Sequence, residues 1–238
     1  MAEQEMKKAA GYRAAETLVK SGMKLGLGTG STAIHAIRRV GELLAEGRLR
    51  DIRVFPTSFQ SGIECEKLGI PQYSLNSPLL SGNLDLTIDG ADEIDPQGRC
   101  IKGGGGALLL EKIAAYASVS YALVADGRKS VPSLGSAFAV PVETVIEARL
   151  SVAKELEKLG AAVTLREAVR KAGPVITEHG NLLLDIRFPS PVDPEFMETA
   201  INRIPGVVEN GFFAAFRERN IKVTVFVAHG DGAMEIRE

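Results

Sequence analysis

The segment that decides the fold covers residues 23–44 and reads MKLGLGTGSTAIHAIRRVGELL. Its first five residues predict a buried strand, because they form a short apolar run that ends at a turn of glycine, Ser and Thr. The residues from Ala33 to Leu44 predict a helix that begins directly after this turn. A strand that passes through a glycine turn into a helix is typical of α/β proteins.

The alternation of strand and helix extends to both sides of this segment. Apolar residues at every fourth position from Met6 to Leu18 predict a helix before it. The strands predicted after it cover residues 52–56, 84–88 and 121–125, and further helices are predicted up to Leu68 and from about residue 107. This alternation predicts a parallel α/β sheet, and the β-prone run at 222–228 is expected to return to it.

The pattern changes after residue 132. Strand-like runs are predicted at 137–142, 162–165, 182–188 and 207–213, with an amphipathic helix at 145–159 and a further helix at 194–204. The order βαββαβ is that of a ferredoxin-like α+β unit. We therefore expect one domain formed by residues 1–132 and 215–238, and a smaller α+β domain formed by residues 133–214.

Composition and charge exclude several classes of protein. Hydrophobic residues make up 45% of the 238 residues and charged residues 24%, as in ordinary globular proteins. The net charge of −2 implies no general attraction to nucleic acid or to a membrane surface. The chain shows no long apolar stretch, and the charged residues 1–16 lack an apolar signal core, so no secretion signal is expected. Cys65 and Cys100 fit neither a disulfide framework nor a zinc motif, so a cytoplasmic location is expected.

The glycine turn from Gly28 to Thr32 is a candidate phosphate site. The N-terminus of a helix exposes unpaired N–H groups and partial positive charge, and the hydroxyls of Ser31 and Thr32 add donors. A dinucleotide fingerprint requires a third glycine at the position of Ser31. A tight turn with Ser31 as a helix cap is the structural alternative, and the turn alone leaves both interpretations open.

Acidic residues crowd the end of the strand predicted at 84–88. They are Asp85, Asp89, Asp92, Glu93 and Asp95. Asp89 stands at the carboxyl end of the strand, where open α/β sheets bind ligands. Neighbouring carboxylates can divide acid and base roles, but they can also bind a divalent metal or form a solvated acidic loop. The cluster alone does not choose among these three.

The stretch at 102–112, KGGGGALLLEK, combines a cation, an open backbone and a carboxylate. Four successive glycines are costly to order, and close approach of the backbone to a ligand would explain them. Lys102 can neutralise a developing enediolate oxygen. Glu111 shares a helix face with apolar residues, which favours retention of its proton and suits a general base near neutral pH. The alternative is an ordinary surface pair of Glu111 and Lys112.

Four motifs in fixed order carry a family resemblance. They are GTGST at 28–32, DGADE at 89–93, KGGGGALLLEKI at 102–113 and ADGRK at 125–129. Together with Lys7-Lys8, PVE at 141–143 and IPGVV at 204–208, they closely resemble ribose-5-phosphate isomerase of type A. The resemblance implies a Rossmann-like domain with a smaller α+β domain. It also implies interconversion of D-ribose 5-phosphate and D-ribulose 5-phosphate through an enediol, a step of the non-oxidative pentose phosphate pathway.

The resemblance also implies roles for single residues. Glu111 matches the general base, Asp89 the residue that assists ring opening and hydroxyl proton transfer, and Asp92 and Lys102 the residues that orient the substrate and stabilise the enediolate. The positions that match substrate contacts are Lys7, Thr29, Gly30, Ser31, Thr32, Asp89, Gly90, Ala91, Asp92, Lys102, Gly103, Gly104, Gly105 and Lys129. Lys7 and Lys129 match the basic residues at the phosphate.

The same resemblance implies a homodimer or homotetramer that acts on a small sugar phosphate and needs no cofactor. The three histidines form no ligand pair in the sequence, so no metal is expected. A sugar-phosphate sensor would require a DNA-binding segment, and no basic helix-turn-helix precedes residue 20. An acyl-CoA transferase with Glu111 as nucleophile would require a larger partner half, and a nicotinamide dehydrogenase would require glycine in place of Ser31.

Overall fold

The computed structural model describes all 238 residues and contains six α-helices and thirteen strands. The helices are α1 (Glu3–Leu18), α2 (Ala33–Ala45), α3 (Phe59–Lys67), α4 (Leu108–Tyr116), α5 (Arg149–Lys158) and α6 (Pro194–Asn202). The first seven strands are β1 (Lys24–Leu27), β2 (Arg53–Pro56), β3 (Leu84–Gly90), β4 (Glu93–Ile94), β5 (Cys100–Ile101), β6 (Ser118–Asp126) and β7 (Val140–Thr144). The others are β8 (Ala162–Leu165), β9 (Leu182–Arg187), β10 (Val207–Asn210), β11 (Phe212–Phe213), β12 (Lys222–Ala228) and β13 (Met234–Arg237).

The chain forms two compact units. The first consists of Met1–Ala91, Leu110–Ser130 and Phe216–Glu238, and the second of Asp92–Leu109 and Val131–Ala215. All six predicted helices are present. No helix has the length and apolar character needed to cross a membrane.

The first unit is built on a six-stranded sheet with the order β13-β12-β6-β3-β1-β2. Five strands are parallel, and only β13 runs antiparallel to its neighbour β12. The predicted parallel sheet is therefore confirmed, as is the return of residues 222–228, which pair with β6. Along the sheet, β2 lies on one side of β1 and every later strand on the other. The direction of strand order thus reverses between β1 and β3.

Burial on both faces explains the apolar strands of this sheet, as expected when helices cover a parallel sheet. Leu25 and Leu27 of β1 are fully buried. They share one core with residues of the two longest helices and of neighbouring strands, namely Ala10, Ala14, Ile37, Val40, Ile88, Val124 and Phe226. This packing fixes the position of β1 and therefore the place where the turn at 28–32 begins.

The second unit contains the predicted βαββαβ arrangement. Its antiparallel sheet has the order β10-β7-β9-β8, with α5 between β7 and β8 and α6 between β9 and β10 along the chain. Val142, Leu184 and Ile186 of the sheet are buried in one core with Val152 and Leu156 of α5. The strand expected at 137–142 begins instead at Val140 and continues to Thr144.

A small three-stranded sheet, β11-β5-β4, was not expected from the sequence. Each of its strands has two residues, too few to show a period in the sequence. Pairing of β5 with β11 groups residues 92–109 with the α+β unit, whereas the expected division kept them with the parallel sheet. Strand β13 was also not predicted.

The single strand expected at 207–213 was wrong, because it divides into β10 and β11 at Gly211. The Gly211 N–H donates to Pro141 O at 2.7 Å, and a Cβ at this position would lie 2.5 Å from Lys102 O. The chain therefore leaves the four-stranded sheet and enters the three-stranded sheet at Gly211, where the backbones pack too closely for a side chain.

Replacement of Gly206 tests the packing of the second unit. Gly206 has φ +99°, and a Cβ here would lie 2.2 Å from Ala148 Cβ; Gly180 has φ +79°, and a Cβ there would have no atom within 4 Å. Both Gly206→Ala and Gly180→Ala incur the left-handed penalty of about 1–2 kcal/mol. Gly206→Ala is expected to lose at least about 1 kcal/mol more, because it also overpacks. Urea unfolding of both variants measures the difference, and equal losses would contradict this packing.

Candidate active site

In the first unit, three of the candidate residues lie at the carboxyl edge of the parallel sheet. Thr29 follows β1, Asp89 lies at the end of β3, and Lys129 follows β6. The strand order reverses between β1 and β3. Open α/β sheets bind ligands in the crevice beyond the strand ends at such a reversal. The sheet topology therefore points to the turn after β1 and the end of β3 as the place for a ligand.

Asp89 connects these two strand ends. It is fully buried, and its Oδ1 accepts the Thr29 N–H at 3.1 Å and the Gly90 N–H at 2.7 Å. A Cβ at Gly28 would lie 2.0 Å from Asp89 Oδ1, so only glycine at position 28 allows this approach. The glycine turn and the carboxylate are thus one structure, although they are 60 residues apart in the chain.

The turn at 28–32 is held by residues that follow β2. Thr29 Oγ1 lies 2.9 Å from Thr57 Oγ1 and donates to Ser58 Oγ at 2.6 Å. The Gly30 N–H donates to Gln60 Oε1 at 2.8 Å. The sequence interpretation assigned no role to these three residues. Their signal was a run of polar side chains directly after a strand, at the same edge of the sheet.

The hydroxyl groups of Ser31 and Thr32 are not used in capping α2. The residue that precedes the first turn of α2 is Thr32 rather than Ser31, and its side chain makes no capping hydrogen bond. Ser31 is exposed. The alternative in which Ser31 serves only as a helix cap is therefore wrong. The N-terminus of the 13-residue helix α2 offers N–H groups and partial positive charge beside both hydroxyls.

Basic groups of the first unit are tied together by Glu3. The Glu3 Oε1 lies 2.5 Å from Lys7 Nζ and 3.0 Å from Arg128 Nη2. Hydrogen bonds from Arg128 and then Lys7 lower the pKa of Glu3 to about 2. Lys129, the next residue after Arg128, is half-buried and lies near enough to the Asp126 carboxylate to lower its pKa. Lys7 itself is largely buried.

Glu111 lies in the first turn of α4 and is 4% exposed. The adjacent Lys112 is 2% exposed. The interpretation of these two residues as a surface pair is therefore wrong. A nearly buried carboxylate has the environment that suits a general base better than a solvated one does.

In the second unit, Asp92 and the glycine run form one structure. Asp92 Oδ2 accepts the Gly104 N–H at 2.8 Å, and the Asp92 N–H donates to Ile101 O at 2.8 Å. Lys102 is buried, with its Nζ 5.8 Å from the centre of the Phe213 ring. The Asp92 carboxylate is thus oriented by the loop that follows Lys102.

Packing within the chain explains two of the four glycines. Gly103 has φ +102°, and a Cβ here would lie 2.9 Å from Leu108 Cβ. A Cβ at Gly104 would lie 2.7 Å from Asp92 Oδ1. The approach of a ligand, which the sequence suggested, is therefore not the only reason for glycine here. The N–H groups of Gly103 and Gly105 donate to no other group of the chain.

The carboxylates of the acidic cluster bind different partners in the structure. Asp85 accepts the Lys24 N–H at 2.8 Å, and Asp95 Oδ2 lies 2.6 Å from Arg99 Nε. Glu93 accepts three backbone N–H groups, from Gly135, Ala137 and Phe138, each at 2.6 Å. Because Asp89, Glu93 and Asp95 are at most 1% exposed, the solvated acidic loop is wrong. No three His, Cys, Asp or Glu side chains converge into a metal-binding group.

Comparison with known proteins adds independent findings. Residues 53–232 match the family described as ribose 5-phosphate isomerase A (phosphoriboisomerase A). A relative named ribose-5-phosphate isomerase A from Treponema denticola is 52% identical over 238 residues, covering 97% of this chain and 98% of the relative. One of the same name from Treponema pallidum is 52% identical over 232 residues, covering 94% and 89%.

Solved structures agree with these sequence relatives. A D-ribose-5-phosphate isomerase in complex with phospho-erythronic acid superposes with a TM-score of 0.92, at 39% identity and with 100% of both chains covered. The ribose 5-phosphate isomerase A of Methanocaldococcus jannaschii gives a TM-score of 0.89, at 35% identity and with 100% of both chains covered.

The pH dependence of the unfolding free energy below neutral pH tests the ion pair of Asp126 and Arg128, next to Lys129. Asp126 ends β6 and pairs with Arg128, whose side-chain hydrogen bond lowers the pKa of Asp126 below its usual 3.8. A lowered folded-state pKa stabilises the protein above the unfolded pKa and loses that effect as pH falls through the folded pKa. Urea unfolding from about pH 6 to about pH 3 should therefore show wild type losing its advantage over Asp126→Asn. The matched control is Glu218→Gln, at an exposed carboxylate. A pH-independent difference between wild type and Asp126→Asn would contradict the assignment.

Proposed function

The chain belongs to the ribose 5-phosphate isomerase A family, and from this membership we propose how its own residues carry out the reaction. The family interconverts D-ribose 5-phosphate and D-ribulose 5-phosphate through an enediol. The observation that carries the proposal is the nearly buried Glu111 in the first turn of α4, nine residues after Lys102. A base in this environment is suited to removing a proton from carbon.

We propose that Glu111 moves the carbon-bound proton. From the open-chain aldose, the base removes the proton of C2, the electrons of that C–H bond form the C1–C2 double bond, and the C1 oxygen takes up a proton. The base then returns a proton to C1, while the hydroxyl on C2 loses its proton and becomes the ketone. Every proton removed is returned, so the reaction needs no oxidant or reductant.

Asp89 is proposed to move the protons on oxygen. It assists opening of the sugar ring and then transfers a proton between the oxygens on C1 and C2. Its Oδ1 is held by the Thr29 and Gly90 N–H groups, and these contacts give the carboxylate one orientation. A fixed carboxylate avoids the reorganisation that a solvated group would require.

Lys102 and Asp92 are proposed to act on the same intermediate. The ammonium group of Lys102 stabilises the negative charge that develops on the enediolate oxygens. Asp92, which is held by the Gly104 N–H, accepts hydrogen bonds from substrate hydroxyls. Because Lys102 supplies the positive charge, the proposed mechanism includes no metal ion and no cofactor.

The phosphate is proposed to bind the turn from Thr29 to Thr32. The N-terminus of α2 and the hydroxyls of Ser31 and Thr32 offer donors to its oxygens. Lys7 and Lys129 supply positive charge for the dianion. Gly90, Ala91, Gly103, Gly104 and Gly105 complete the proposed substrate contacts through their backbone.

The ligand of one relative supports this assignment. The structure with a TM-score of 0.92 holds phospho-erythronic acid, a phosphorylated sugar acid. A carboxylate carries two oxygens that share a negative charge, as an enediolate does. A site built for the proposed intermediate is expected to bind such a compound.

We further propose that the enzyme works in the cytoplasm as a homodimer or homotetramer. The oligomeric state rests on the family resemblance. The location is supported by two cysteines that are buried and form no disulfide.

Replacement of the proposed base tests the mechanism. Glu111→Gln keeps the shape of the side chain but cannot accept the carbon-bound proton. Its kcat for conversion of ribose 5-phosphate to ribulose 5-phosphate is expected to fall by about 10²–10⁴, with little change in KM. The exposed control Glu157→Gln on α5 should keep wild-type kinetics. Near-normal turnover by Glu111→Gln would place the base elsewhere.

A further inference from the structure

We propose that Arg166 is a positioning residue that fixes the peptide groups of the loop after Lys102 for the isomerisation. This inference rests on the proposed function of Asp92 and of the glycines as substrate contacts. Arg166 directly follows β8, and its Nη1 donates to Gly103 O at 2.8 Å and to Gly104 O at 3.2 Å. One guanidinium group thus binds two successive carbonyls of a loop 63 residues earlier in the chain.

The guanidinium group is itself held from the opposite side. Arg166 Nε donates to Asp185 Oδ2 at 2.9 Å, and Nη2 donates to Asp185 Oδ1. Asp185 belongs to β9, and the Arg166 N–H donates to Leu183 O of the same strand at 2.9 Å. The side chains of Arg166 and Asp185 are only 15% and 25% exposed. A paired, two-point contact of this kind restricts the guanidinium to one orientation.

Planarity of the peptide bond carries this restriction across the loop. In a trans peptide, the C=O of one residue and the N–H of the next point in opposite directions. The hold on Gly103 O therefore directs the Gly104 N–H away from Arg166, and this N–H meets Asp92 Oδ2 at 2.8 Å. Arg166 in this way orients the Asp92 carboxylate without touching it.

The second carbonyl has a different consequence. The hold on Gly104 O directs the Gly105 N–H away from Arg166, and this N–H donates to no other group of the chain. It is an oriented donor at a position proposed to contact the substrate. Glycines lose much conformational entropy when they are fixed in one conformation. One hydrogen bond joins two residues of the loop itself, from the Gly106 N–H to Gly103 O at 3.0 Å, so the contacts with Arg166 add to the order of the loop.

The geometry requires arginine rather than any cation. Lysine presents one compact ammonium group, which cannot meet a carboxylate with two parallel hydrogen bonds and two carbonyls on the opposite side. Arg166→Lys is therefore expected to keep the charge beside Asp185 but to lose part of the hold on the loop.

The test compares wild type, Arg166→Ala and Arg166→Lys with the control Arg170→Ala, using ribose 5-phosphate as substrate. Arg170 is exposed and makes no hydrogen bond or ion pair in the structure. We expect kcat/KM of Arg166→Ala to fall at least about tenfold, since small displacements of positioning groups cost this much or more. Arg166→Lys should show an intermediate loss, and Arg170→Ala should match wild type. Millimolar guanidinium chloride should restore part of the activity of Arg166→Ala only.

The outcomes separate this inference from the proposed function. An active wild type with unchanged kcat/KM in Arg166→Ala, or a loss that guanidinium does not reduce, overturns the positioning role and leaves the proposed function intact. An inactive wild type overturns both. If Arg166→Ala fails to fold, Arg166→Lys decides, because wild-type kcat/KM in that variant overturns the requirement for a guanidinium group.

Discussion

The contact between the Asp89 carboxylate and the turn after β1 holds the proposed site residues of the first unit together. A buried carboxylate requires donors, and the Thr29 and Gly90 N–H groups supply them. The contact exists only because residue 28 has no side chain. It lies where the strand order reverses, so the sheet topology also brings together the proposed phosphate turn and the proposed acid.

The loop after Lys102 depends on contacts of a similar kind in the second unit. A backbone group of this loop orients the Asp92 carboxylate, because Asp92 accepts the Gly104 N–H. Arg166 and Asp185 restrain the peptide groups that a run of glycines leaves free to rotate. Each unit thus uses glycine for close approach and a polar group distant in the chain to limit the freedom that glycine brings.

Much of the fold could be predicted from the sequence, because the main helices and strands are long or strongly patterned. The strand and helix around Gly28, the parallel sheet and the βαββαβ unit all follow from periodicity and turn residues. The two-residue strands of the small sheet, the break at Gly211 and the hold of Gln60 on Gly30 do not. Each depends on a contact between distant segments, which leaves no period in the chain. The Arg166 contact was missed for the same reason.

The most direct measurement is the conversion of ribose 5-phosphate to ribulose 5-phosphate by wild type and Gly28→Ala. A methyl group at position 28 would lie 2.0 Å from Asp89 Oδ1, whereas a Cβ at Gly230 has no atom within 4 Å. Gly28→Ala should displace the carboxylate and lower kcat/KM by about 10²-fold, as misplacement of a positioned group does, while Gly230→Ala keeps wild-type activity. Wild-type conversion by a folded Gly28→Ala variant would contradict the dependence of the site on this contact.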